Sequence, residues 1–135
     1  MRRVGVVLLY VVAAAITLGG IGDLTIRQLL GVHTRFLMSG GTATIPAETS
    51  ALVINLLHAL GGGLIGIGVA SLALTHFAAR KGERWAAWTI LVIIVASEGM
   101  NAVGMYATGS FWYVSIAYIA IALAGAALVL SAKRG

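Results

Sequence analysis

Four apolar runs dominate this 135-residue chain, and each is long enough to cross the hydrocarbon layer of a membrane as a helix. The first is Val4–Ile21, 18 residues, or about 27 Å of helix at 1.5 Å per residue. The second is Ala51–Phe77, 27 residues and about 40 Å, which must tilt, bend or protrude from a core of about 30 Å. The third is Trp85–Tyr106 and the fourth Phe111–Ser131. Hydrocarbon offers no partner to an open backbone N–H or C=O, so runs of this kind fold as helices. The expected fold is an all-α integral membrane protein, a four-helix antiparallel bundle forming a single domain over residues 1–135.

Composition agrees. Hydrophobic residues make up 60% and charged residues only 10%, against about a quarter charged in soluble domains. The formal charge of +5 is arranged as a topology signal. With four crossings, Arg2/Arg3, Arg80/Lys81/Arg84 and Lys133/Arg134 fall on one side, and only Arg27 and Arg35 on the other. The positive-inside rule then puts both termini in the cytoplasm of a cell whose inner (plasma) membrane holds the chain. The Met1-Arg2-Arg3 start imitates a signal peptide, but 18 apolar residues are long for a cleaved segment, so the first helix is expected to be retained. Cysteine is absent, which removes thiol chemistry and disulfides. The basic residues form no groove with base-stacking aromatics, so no nucleic-acid partner is expected. Phosphate-binding, dinucleotide-binding, zincin and serine-elbow motifs are missing, and neither a cofactor nor a metal site is expected.

The connection over residues 22–50 is too apolar for a flexible linker. Gly19, Gly20 and Gly22 loosen the end of the first span. Leu24, Ile26, Leu29 and Leu30 suit one face of a short helix that Gly31 ends, with a turn at Ser39-Gly40-Gly41 and Pro46 opening the next helix. Asp23 and Arg27, spaced i, i+4, suit an ion pair on that helix. The segment is expected to lie on the membrane surface or over the mouth of the bundle, with His33 and Glu48 placed to act as a lid.

The polar residues inside the runs point to chemistry. Asn55 and His58 in the second run and Glu98 and Asn101 in the third are each spaced i, i+3 and share a helix face. Measured from the outer ends of their helices, they lie about 6, 10, 12 and 8 Å deep, so the two pairs fall at one level. Facing lipid they would cost several kcal/mol, so they are expected to face the interior. Glu98 and His58 form the expected acid/base pair. Asn55, Asn101, Tyr118, Ser115, Thr17 and Trp112 are the expected substrate-positioning groups. Walls of Leu, Ile, Val, Ala and Gly around them suit proton transfer on a lipophilic isoprenoid-, polyketide- or lipid-like molecule: isomerisation, cyclisation or epoxide opening. The same residues also suit plain hydrogen bonding between helices, a proton-coupled transporter with Glu98 as coupling site, or an accessory or ligand-binding subunit. Membrane lipid is the expected surrounding. Gly62 and Gly66 of the second run offer a small-xxx-small surface for close packing, including against a second copy in a homodimer.

Overall fold

The computed structural model describes residues 2–41 and 43–131. Lys133 and Arg134, which enter the charge tally above, lie outside the described residues. Among the described residues the secondary structure is entirely helical: α1 (Arg2–Thr25), α2 (Gly31–Met38), α3 (Ala47–Phe77), a 3₁₀ turn (Ala79–Lys81), α4 (Arg84–Ala107) and α5 (Phe111–Ser131). Four of these helices are long and apolar enough to span a membrane. Their outward faces carry large apolar side chains such as Leu18, Leu52, Val69, Val92, Val103 and Val129. A surface of that kind matches lipid, not water.

The helices end where backbone chemistry lets them. Beyond Phe77 the chain tightens into the 3₁₀ turn and reverses at Gly82, whose φ of 98° is one that L side chains rarely adopt. Gly109, at φ 73°, does the same between α4 and α5. Pro46 stands immediately before α3, where its missing N–H breaks no helical bond.

Two local expectations change. Helix α1 runs straight through Gly19, Gly20 and Gly22 to Thr25, one turn beyond the expected end of the span. The chain is then non-helical, with a bend at Gln28, until Gly31 begins α2 instead of ending a helix. The reason for the first change is tertiary. Gly20 lies against Gly61 of α3 so closely that a Cβ on Gly20 would sit 2.5 Å from the Gly61 carbonyl oxygen, and one on Gly61 would sit 2.6 Å from that of Gly20. Gly68 fits against Ala13 and Thr17 in the same way. Glycine here serves close approach, not helix breaking.

The face of α3 toward α1 reads Gly61, Leu64, Gly68, Ser71, Thr75, alternating steps of three and four. Gly62 and Gly66, expected to form the packing pair, lie off that stripe, and a Cβ on either would touch nothing. Helix α1 also packs on α5, and α5 on α4, whereas α3 and α4 touch only sparsely despite the short turn that joins them. The interior is therefore uneven. Toward the N-terminal end of α1 it is filled by Leu9, Val12, Ile16, Ile90, Ile94, Ala124, Ala127 and Leu128. Toward α2 the helices stand around a cavity.

Replacement of Gly61 or Gly68 by leucine is expected to force α1 and α3 apart, costing about 1–3 kcal/mol. Leucine at Gly66 should be tolerated. Thermal unfolding of the three variants in one detergent checks this; equal midpoints would mean the crossing is not where the glycines place it.

Candidate active site beneath the short helix

Glu98 is buried because of its place in the packing stripe of α4. Ile90, Ile94, Glu98 and Ala102 recur every four residues along one face, and all four are buried. The first two meet the solid core. Glu98, with 7% of its surface exposed, is the position at which that stripe reaches the cavity. Asn101, one turn further on, lies near enough to the Glu98 carboxyl group to act on its charge.

The cavity has a volume of about 270 Å³. An engineered apolar cavity of about 150 Å³ holds benzene, so this one has room for roughly ten to fifteen non-hydrogen atoms. Every helix contributes to it. From α1 come Ile16, Gly19 and Asp23; from the segment ahead of α2 and its first turn, Leu30, Val32 and His33. Helix α3 gives Leu57, Leu60 and Leu64, α4 gives Glu98, Asn101 and Met105, and α5 gives Tyr113, Ile116 and Ala120.

Asp23 and His33 lie close enough for their charges to interact, as do Asp23 and Glu98. The Nδ1 atom of His33 is buried without a hydrogen-bond partner. Among the described residues no three His, Asp or Glu side chains are grouped tightly enough to hold a metal ion. Asp23, His33 and Glu98 are thus arranged around a volume, not around a point. Polar groups arriving from separate helices into an apolar cavity are what a small-molecule site requires.

The structure places the sequence-derived candidates unequally. Glu98, Asn101 and His33 line the cavity. The expected pairing of Glu98 with His58 is not formed. His58 is half-buried, and its Nε2–H donates to the carbonyl oxygen of Ile26 at 2.7 Å, tying α3 to the non-helical stretch before α2. From α3 it is the adjacent Leu57 that faces the cavity, about 100° away around the helix. Asn55 is exposed. Thr17 sits on the α1–α3 crossing and donates its hydroxyl proton to the Ala13 carbonyl at 2.9 Å. Ser115 bonds back to Phe111 at 3.1 Å. Trp112 is 74% and Tyr118 65% exposed, which suits contact with lipid. Glu48 is exposed at the start of α3.

Two polar lining residues, Asp23 and Tyr113, are not among the expected site residues. For Asp23 the signal existed: Ile16, Gly19 and Asp23 are spaced i, i+3, i+7 and share a face once α1 is allowed to continue. Because α1 ends at Thr25, the helical i, i+4 relation to Arg27 is broken, and Asp23 lines the cavity instead. At the far end of α3, His76 shares a hydrogen bond of 3.1 Å with the Tyr10 hydroxyl, well away from this cluster in sequence.

Compared with protein-family models, curated proteins and solved structures, the chain matches none.

Replacing His58 by phenylalanine should remove the tie to Ile26 and leave that carbonyl unpaired, costing about 1 kcal/mol. Amide hydrogen exchange in α2 should quicken in this variant. Unchanged exchange would show that the tie does not hold α2 in place.

Proposed function

We propose that this chain is a small multi-pass enzyme of the inner (plasma) membrane, four antiparallel spans with both termini cytoplasmic, that performs cofactor-independent acid/base chemistry on a lipophilic isoprenoid-, polyketide- or lipid-like molecule. The observation that carries the reading is the cavity: apolar walls enclosing Glu98, Asp23, His33 and Asn101 from three parts of the chain. Arg3, Arg80, Lys81 and Arg84 stand at the opposite ends of their spans from it, which supports a cavity in the outer half of the membrane.

Glu98 is the group to which we assign proton delivery, at an alkene carbon or an epoxide or carbonyl oxygen. Asn101 holds its carboxyl orientation. Asp23, with His33 beside it, is positioned to take a proton from the other side of the substrate. The leucines of α3 exclude water, which would otherwise capture a reactive intermediate and weaken every local electrostatic interaction. Paired proton donors and acceptors of this kind support isomerisation, cyclisation or epoxide opening.

A proton-coupled carrier would use the same two carboxyl groups. What favours catalysis is the plug beneath the cavity. Leu9, Val12, Ile90 and Ile94 are fully or almost fully buried there. A carrier needs a route past them.

The test is conversion of a panel of alkene, epoxide and enolisable lipophiles by the purified protein in neutral detergent. Glu98→Gln and Asp23→Asn should each lower turnover by about 10²–10⁴-fold, the usual contribution of a positioned acid or base, with folding intact. Glu48→Gln should leave it unchanged. Absence of conversion, combined with uptake driven by a proton gradient in proteoliposomes, would replace the enzyme by the carrier.

A further inference from the structure

The charged groups around the cavity are unbalanced. Asp23 and Glu98 line it, and among the described residues His33 is the one basic side chain that does, with neither lysine nor arginine in the wall. Two ionisable carboxyl groups thus face a single imidazole across the cavity. Helix α3 cannot offset the imbalance, since its contribution is Leu57, Leu60 and Leu64. Helix α5 adds Tyr113, whose ring presents an electron-rich face suited to a cation. Two carboxylates sharing a low-dielectric space repel, and a positive centre between them reverses that term.

We infer that the cavity is built to hold positive charge: its occupant carries a cationic centre at the level of Asp23, Glu98 and Tyr113 and an apolar body against the leucines of α3. Beyond the acidic pair, two observations point to an occupant. One is the partly open volume of about 270 Å³, too large for a packing defect. The other is the buried Nδ1 of His33, a polar atom in the wall that no protein group satisfies. The inference rests on the reading of this cavity as the substrate site and narrows the chemistry there. Among acid-catalysed reactions it selects those that build up positive charge on carbon, such as protonation of an alkene or acid opening of an epoxide, because the proton passes from Glu98 to the substrate and the Glu98 carboxylate left behind, with an ionised Asp23, stabilises that charge. Enolisation, which builds negative charge on oxygen, is disfavoured by the same lining.

The probe is cyclohexyltrimethylammonium, a permanent cation. Its neutral isostere is tert-butylcyclohexane, and cyclohexylacetate supplies an anion of similar bulk. Each is titrated against the full chain in neutral detergent, and affinity is taken from the ligand-dependent rise in unfolding temperature. The cation should bind roughly tenfold or more tightly than the neutral isostere, and the anion should bind more weakly than both. Asp23→Asn and Glu98→Gln should each weaken the cation by roughly tenfold while leaving the neutral compound unaffected. Leu60→Phe, which fills the cavity without touching its charge, should weaken both compounds.

Equal affinity for cation and isostere would overturn the inference, as would a cation affinity untouched by either carboxamide substitution. Should one carboxamide variant fail to fold, the other and the isostere comparison decide the matter. The outcome separates from that of the enzyme proposal. Selective cation binding with no conversion of any panel compound removes catalysis and leaves a cation site. Conversion that depends on Glu98, with no selective binding of the ammonium compound, removes the cation site and leaves the enzyme.

Discussion

The contact between the backbones of α1 and α3 at Gly20 and Gly61 governs the rest of this structure. In lipid, helices gain little from burying apolar surface against one another, because the surrounding acyl chains are equally apolar. Close packing has to do that work. Glycine allows two helix axes to approach until carbonyl oxygens lie where side chains would otherwise stand. The approach at Gly20 requires a helix that continues past the glycines, and that continuation carries Asp23 inward. Had the chain loosened at Gly19–Gly22, the cavity would have lost one of its two carboxyl groups.

With α1 committed to α3 on one side and to α5 on the other, α3 and α4 are left with sparse contact. This is why one half of the interior is solid and the other hollow. Near Ile90 and Ile94 the small residues Ala86, Ala87, Ala124 and Ala127 let the helices close up. One or two turns on, the corresponding positions are Glu98 and Asn101 on α4 and Leu57, Leu60 and Leu64 on α3. Their bulk and polarity keep the helices from closing in the same way. The cavity is thus a product of the same stripes that build the core, read one turn further along each helix.

The four membrane-length helices were legible in the sequence because length and polarity alone decide them. So was the burial of Glu98, since a carboxyl group amid apolar residues has few acceptable places. Depth along each helix could also be counted. Rotation about the helix axis was far harder to read. Helix α3 is apolar nearly all the way round, so its sequence holds no contrast between an inward and an outward face. His58 and Leu57 were therefore indistinguishable as wall residues, and Gly62 and Gly66 looked as fit for packing as Gly61 and Gly68. Asp23 was obscured for a different reason. The local tendency of three nearby glycines to end a helix was overridden by the contact with α3, which lies some forty residues away along the chain. Trp112, Tyr118 and Ser115 share the right depth but face outward, a distinction that depth alone cannot make.

Helix α2 has no buried residue, yet Val32 and His33 at its start line the cavity. It connects to α1 through five non-helical residues and to α3 through a stretch that includes Gly40 and Gly41. Its neighbouring tether to the spans is the bond from His58 to Ile26. An element with no buried residue would be displaced at smaller energetic cost than parting α1 from α3, whose glycines interlock. On the function proposed above, entry to the chamber would fall to this short helix rather than to the interlocked pair of spans.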